Sequence, residues 1–297
     1  MINPEYLLER ISLKKKVTSW RIFSLFLLGV LIGSFFKTDA DPASVYSGGY
    51  IARVRLEGVM LNDIDSIKKL RDIESNTSIK GVIISIDSPG GSAVAGEEYF
   101  DAIRHISKSK PVVSVLQQVA ASAGYLAASG SDYIVAHKFT LTGSIGAIMQ
   151  TYEVTELADK IGVKFINIKS SPLKASPNPF EKYTTEVADT QEELIQHAFK
   201  EFYDIVKDRR NLTDQEMKKV GSGRLFSGTE ALKLKLVDEI GNEFNAVSWM
   251  QANRNIDISL PVRDYEIYKK TNKLDKILDS IHSMAVGLSG LFATKLI

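Results

Sequence analysis

The feature that most constrains this chain is the alternation of apolar runs with helical patterns between residues 51 and 136. Ile51 to Glu57 sets Ala52, Val54 and Leu56 against Arg53, Arg55 and Glu57, a strand with one wet face. Asn62 to Asn76 carries Ile64, Ile67, Leu70 and Ile73 at helical spacing, and Gly81 to Ile86 is a fully apolar strand. A second helical pattern runs through Tyr99, Ala102, Ile103 and Ile106. Val112, Val113, Val115 and Leu116 then have the length and branching of a buried strand. Strands joined through helices pair side by side and parallel, so the sequence predicts an α/β domain with right-handed crossovers. Further strands are expected at 133–136, 146–152 and 163–168, with a helix near 155–161. Thr190 with Glu193 and Ser227 with Glu230 have the form of capping boxes. The first is expected to open a helix that carries Leu194, Ile195, Ala198, Phe199, Phe202, Ile205 and Val206 on one side.

Charge and composition remove several function classes. With 37 basic and 36 acidic residues among 297, the formal charge is +1, and nothing points to nucleic acid as a partner. The chain has no cysteine, which excludes disulfides, thiolate metal sites and a cysteine nucleophile. Its four histidines, His105, His137, His197 and His282, form no HExxH pattern, which argues against a zinc hydrolase.

Residues 20–36 are apolar apart from Arg21, Ser24 and Ser34, and Lys14, Lys15 and Lys16 precede them. As a helix this stretch covers about 26 Å, close to the hydrocarbon core, with Arg21 and Lys37 able to snorkel and Trp20 suited to the interface. The expectation is a transmembrane anchor with residues 1–19 cytoplasmic and everything after Lys37 outside. A cleavable signal peptide is the rival, but the region near Ala40 has no convincing small-x-small cleavage site. Residues 37–49 have linker composition, one α/β domain is expected over 50–265, and 266–297 are expected to form an amphipathic tail in which Leu274, Ile277, Leu278, Ile281, Leu288 and Leu291 recur near helical spacing.

The stretch Pro111 to Gly130 reads as strand, turn and short helix, with Ser122 where the turn becomes the helix. Ala120, Ala121, Ala123 and Gly124 around it leave a hydroxyl reachable, and a helix N-terminus favours a developing oxyanion. Small residues around a serine also serve tight packing, so the segment does not decide by itself. A serine nucleophile needs a base. His137 leaves a strand with no carboxylate beside it, and His197 lies on a helix without a partner motif. A neutral lysine is the other option, and it needs burial to lower its pKa by about three units. Residues 170–189 are expected to form a long irregular loop, since Pro172, Pro177 and Pro179 forbid regular structure, and this loop holds Lys174 between Leu173 and Ala175. Ser144, in a Gly-flanked turn, suits the task of aiming such an amine. Gly90 and Gly91, directly before a helix, suit the donation of backbone N–H groups. A plain turn accounts equally for either glycine pair.

Taken in order, Asp87-Ser88-Pro89-Gly90-Gly91, Ala120-Ala121-Ser122-Ala123-Gly124-Tyr125, Leu141-Thr142-Gly143-Ser144-Ile145-Gly146 and Lys174 before Pro177 to Phe180 resemble the signal peptide peptidase A family of membrane-bound serine proteases. The resemblance runs from about Ile51 to Gly241. It implies a Clp protease/crotonase-like α/β superfold, with Ser122 as nucleophile, Lys174 as general base, Ser144 positioning the lysine and Gly91 as oxyanion donor. The N–H of Ala123 is added here as a second donor on geometric grounds. One copy of each motif matches the half-length class, whose members form homo-oligomeric rings or domes with active sites completed by neighbouring subunits. The resemblance further implies that no metal or cofactor is needed, that the substrates are remnant signal peptides, and that the catalytic domain sits outside a bacterial inner membrane. A crotonase-type acyl-CoA enzyme would have no use for an outward anchor or a loop lysine. A catalytically silent membrane scaffold would have no use for an intact Ser122 and Lys174.

Overall fold

The computed structural model describes residues 49–268 together with residues 16–17, 20–25 and 28. The chain divides into two compact units, Met1–Ser47 and Gly48–Ile297. The described residues of the first unit are helical, and Trp20, Ile22, Phe23, Leu25 and Leu28 are exposed. No helix among the described residues is long and apolar enough to cross a membrane. Most of the anticipated anchor, 20–36, and of the anticipated tail, 266–297, lies outside the described residues.

The second unit begins with the expected alternation: β1 (Tyr50–Glu57), α1 (Ile64–Asp72), β2 (Ile79–Ser88), α2 (Ala93–Ser107), β3 (Val112–Ala121), α3 (Ala123–Ala128) and β4 (Tyr133–Ala136). It continues through β5 (Leu141–Gly143), α4 (Thr155–Lys160), α5 (Thr185–Arg209), α6 (Asp214–Val220), β6 (Leu225–Ser227), α7 (Gly228–Lys233), β7 (Glu239–Ile240), α8 (Glu243–Arg254) and β8 (Val262–Asp264). The sheet runs β6-β5-β3-β2-β1-β8, with β4 beside the first half of β3 and β7 beyond β4. Only the β5–β6 pairing is antiparallel among the described strands.

Burial follows from that topology. Val82, Ile83, Ile84 and Ile86 of β2 are all buried, as a central parallel strand covered on both faces requires. One face of the sheet packs Ile51, Ile83, Val113, Val115 and Val135 against Ala246, Val247 and Met250 of α8. Ala52, Val54 and Leu56 alternate to the other face and are equally buried. Because β2 and β3 are parallel, Ser88 and Ala121 finish at the same end of the sheet, and the loops that follow them meet there.

The structure corrects several expectations. Residues 146–152 and 163–168 are not strands, and Ile148, Tyr152, Ile166 and Ile168 are exposed. The chain leaves the sheet one residue after Gly143, where Ser144 takes φ +51° and donates its N–H to Arg224 O at 2.9 Å. An apolar extended run becomes a strand only where a neighbouring strand takes its hydrogen bonds, and among the described residues no strand pairs with either run. Thr190 does not open a helix: α5 starts at the N-cap Thr184, whose hydroxyl accepts from Val187 N, and Thr190 Oγ1 donates to Glu186 O inside the helix. The irregular loop accordingly ends at Thr184 rather than 189. Along α5 only Val187, Phe202 and Val206 are buried, while Ile195, Ala198, Phe199 and Ile205 are half-buried and Leu194 is exposed, so the expected apolar face is covered only in part. Ile64, the first residue of α1, is also exposed, unlike Ile67, Leu70 and Ile73. The capping box at Ser227 and Glu230 is present as expected.

Candidate active site

Ser122 sits between β3 and α3 with φ +51° and ψ −122°, a conformation that costs a residue with a side chain about 1–3 kcal/mol. Such strain persists only where the surroundings fix it. Ser122 N donates to Gly143 O at 2.9 Å, Leu126 N donates to Ser122 O at 2.9 Å, and Thr142 Oγ1 donates to Ala120 O at 2.6 Å. The half-buried Ser122 hydroxyl has no hydrogen-bond partner among the described residues and makes no cap bond to its own helix. The arrangement is a sharp strand-to-helix elbow that presents a free Oγ at the helix N-terminus.

A bulge sets the height of that elbow. Ile86 pairs with Leu116 and Ser88 with Ala120, so β2 advances two residues while β3 advances four. The backbone groups released by the extra residues find side chains: Val119 N donates to Asp87 Oδ1 at 3.1 Å, and Thr140 Oγ1 donates to Gln117 O at 2.6 Å. Gln117 Nε2 donates to Ser85 Oγ at 3.0 Å. Sequence reasoning missed this clamp, although an acid directly before Ser-Pro-Gly-Gly was a visible signal.

The Gly90–Gly91 turn lies against Ser122. A Cβ built on Gly90 would come within 2.8 Å of Ser122 Cβ and 3.3 Å of Ala123 N. Met60 and Gly91 form a parallel bridge that prolongs the β1–β2 pair: Met60 N donates to Gly90 O at 2.8 Å and Ser92 N to Met60 O at 3.0 Å. Neither bond uses the N–H of Gly91, and in such a bridge that group points away from Met60. Away from β1 is the side of β2 on which β3 lies. Ala123, buried, opens α3, where the first N–H groups have no partner within a helix.

The helix behind the nucleophile is anchored. Tyr125 is fully buried and its OH donates to Leu236 O at 2.8 Å; burial pushes its phenol far up, so it stays neutral. Arg209 Nε donates to Ser129 O and Nη2 to Ser131 O, both at 2.9 Å, placing a cation at the helix C-terminus. Arg210 grips Asp238 through two bonds of 2.6 and 3.0 Å, while Asp238 Oδ2 accepts from Ile134 N at 2.8 Å. Burial works against the Arg210 charge, but Asp238 outweighs it and holds the guanidinium above its ordinary pKa.

Of the residues expected at the site, the structure brings together Ser122, Ala123 and the Gly90–Gly91 turn, and it hydrogen-bonds Ser122 to the residue preceding Ser144. It does not bring Lys174 to them. Lys174 is exposed, and among the described residues its amine makes no hydrogen bond or ion pair. The loop around it is fastened at its base: Lys169 pairs with Glu181 and donates to Ser176 Oγ at 3.0 Å and Pro172 O at 3.3 Å, while Asn167 Nδ2 donates to Glu181 at 2.9 Å. The Lys169 ammonium is thereby committed, and it holds the Glu181 carboxyl below the usual carboxylate range. His137 and His197 are exposed, with no ring hydrogen bond or ion pair among the described residues.

Sequence comparison places this geometry in a class. The model of peptidase family S49 matches residues 104–257, a range that contains Ser122, Ser144 and Lys174. A proposed protease of Methanocaldococcus jannaschii is 33% identical over 245 residues, which cover 77% of this chain and 79% of that protein. The chloroplastic serine protease SPPA of Arabidopsis thaliana is 31% identical over 254 residues, 83% of this chain but 37% of that protein. A proposed signal peptide peptidase SppA of Enterococcus faecium is 30% identical over 196 residues, 66% of this chain and 57% of that protein. The chain belongs to peptidase family S49 and is a serine peptidase. It spans most of the archaeal relative and little more than a third of the plant one.

Proposed function

We propose that the chain is a membrane-anchored endopeptidase with a Clp/crotonase-like fold over residues 50–265, in which Ser122 attacks the peptide and Lys174 moves the protons. The observation that carries this reading is the strained elbow at Ser122, with a free hydroxyl and the Gly90–Gly91 turn packed against it. Ser122 Oγ attacks the scissile carbonyl as the neutral Lys174 amine takes its proton. The N–H groups of Gly91 and Ala123 receive the oxyanion. Collapse expels the amine product, which takes the proton from Lys174; the lysine then draws a proton from the water that hydrolyses the acyl-enzyme and returns it to Ser122 Oγ as the acyl bond breaks. Ser144 steers the amine.

A lysine base needs desolvation, and the exposed Lys174 loop has too little cover of its own. The exposed Ile148, Tyr152, Leu157, Ile161, Phe165 and Ile166 in the segment that precedes it are suited to a contact with a second copy of the chain, which would complete the site. The exposed Trp20, Ile22, Phe23 and Leu25 support residues 20–36 as the anchor, with the peptidase domain on the outer side of the membrane. From that position the substrates are remnant signal peptides, in keeping with the name of the Enterococcus relative. Trapping the chain with a fluorophosphonate and mapping the adduct tests the assignment. The adduct is expected on Ser122; an adduct on Ser144, or full activity in Ser122→Ala, overturns it.

A further inference from the structure

We propose that Ser88 is the positioning residue of the Gly90–Gly91 turn, the group that holds the N–H of Gly91 at the angle its donor role requires. The inference rests on the Ser122 reading above. Ser88 ends β2, is completely buried and pairs in register with Ala120. Its Oγ accepts the N–H of Gly90 at 3.1 Å, closing a three-residue turn across Pro89. Pro89 has no N–H to offer, and Gly90, at φ +113°, takes a conformation that L side chains rarely adopt. The Gly90 N–H is consumed by Ser88 and the Gly90 carbonyl by Met60 N, so the only N–H of the pair left for a substrate is that of Gly91.

Ser88 also touches the other half of the site. A Cβ on Gly124 would lie 3.1 Å from Ser88 O and 3.6 Å from Ser88 Oγ, so the first turn of α3 rests directly on this residue. One buried serine therefore fixes the tilt of the Gly90–Gly91 turn relative to the helix that carries Ser122. Removing the hydroxyl orphans the buried N–H of Gly90 and releases the turn. Donation to an oxyanion needs a distance of about 2.7–3.1 Å, so a small re-tilt removes the Gly91 contribution in the transition state while leaving the peptide-binding surface in place.

The test uses the full chain with Ser88→Ala, Ser88→Cys and Ser122→Ala. Ser88→Ala is expected to lose about 10- to 100-fold in kcat with KM within about twofold of the parent, below the cost of deleting an oxyanion donor outright. The affinity for a peptide aldehyde, which forms a tetrahedral adduct, should fall in parallel. Substrate affinity measured in the Ser122→Ala background should not change when Ser88→Ala is added. Ser88→Cys, of similar size but a weaker acceptor, should fall between, and it carries the same test where Ser88→Ala does not fold. A kcat within about twofold of the parent, or a loss of substrate affinity equal to the loss of aldehyde affinity, overturns the proposal. If Ser122→Ala itself remains active, the underlying reading fails; if it is dead while Ser88→Ala turns over normally, only the role of Ser88 fails.

Discussion

The backbone of Gly90 lies against the side chain of Ser122, close enough that a methyl group on Gly90 would stand 2.8 Å from Ser122 Cβ. The two residues follow the ends of different strands, and the bulge that lets β3 advance four residues against two of β2 brings them level. Gly90→Ala therefore meets a steric conflict at the nucleophile and a backbone penalty at φ +113°, together about 1–3 kcal/mol of strain. The expected outcome is a folded protein, lower in melting temperature by a few degrees, with kcat reduced by about 100-fold or more, since oxyanion donation tolerates little displacement. Steady-state kinetics beside a thermal melt checks this, and a variant with parental kcat would mean that the turn is not part of the site.

The Lys169–Glu181 clasp gives the Lys174 loop a pH dependence of known sign. The folded pKa of Glu181 is depressed by Lys169, so the clasp contributes order above the ordinary carboxylate pKa of about 4.3 and loses it as pH falls through the lower folded value. Limited proteolysis between residues 170 and 184 should be slow at pH 7 and quicken below about pH 4. Glu181→Gln should be cut quickly at pH 7 already, with little further change on acidification. Mass mapping of the cleavage sites distinguishes this from global unfolding, and equal protection of parent and variant at pH 7 would dispose of the clasp.

The first half of the domain was legible because its signals are local. The period-two alternation of Ile51 to Glu57, the apolar run at Gly81 to Ile86 and the helical stripe through Tyr99 to Ile106 each survive in the fold. The strand-turn-helix form around Ser122 was visible in the same way, since Ala and Gly crowd a position where the elbow needs space. What the pattern could not show is the longer-range hydrogen bonding. Whether residues 146–152 become a strand depends on a partner, and Ser144 turns them away from β6 before one is met. The Thr190–Glu193 pattern failed because Thr184, six residues earlier, already caps the helix. Asp87 and Ser88 stood in a quoted motif without a role of their own, because their tasks, holding a bulge and closing a turn, exist only once β2 and β3 lie side by side.

The Arg210–Asp238 pair offers a stability test remote from the chemistry. Arg210 has a side chain only 11% exposed, and Asp238 also holds the N–H of Ile134 at the start of β4. Removing the cation leaves a partly buried carboxylate without its counter-charge, a loss of about 3–5 kcal/mol in pairs of this kind. Arg210→Met should thus lower the urea midpoint strongly, and Arg210→Met with Asp238→Asn should recover part of the loss because no unpaired charge remains. If both variants are equally unstable, the cost lies in packing and not in the broken pair.

The position of Lys174 yields the most direct test of how the site is assembled. Its amine is exposed and unpaired among the described residues, whereas a base at neutral pH has to be desolvated. Apolar side chains around the loop, with Ile168 97% and Ile166 85% exposed, present surface that the single chain does not cover. If a second copy covers it, the Ser122 of one chain works with cover, and with a lysine, drawn from its neighbour. Ser122→Ala and Lys174→Ala are each expected to be inactive when assembled alone. Co-assembled, they should regain a fraction of parental activity, because some interfaces then pair an intact Ser122 with an intact Lys174. The fraction should rise and fall with the mixing ratio and peak near equal amounts. Native mass measurement has to show mixed assemblies in the same sample; if they are present and hydrolysis stays at the level of the single variants, each chain carries its own complete pair and the shared site is wrong.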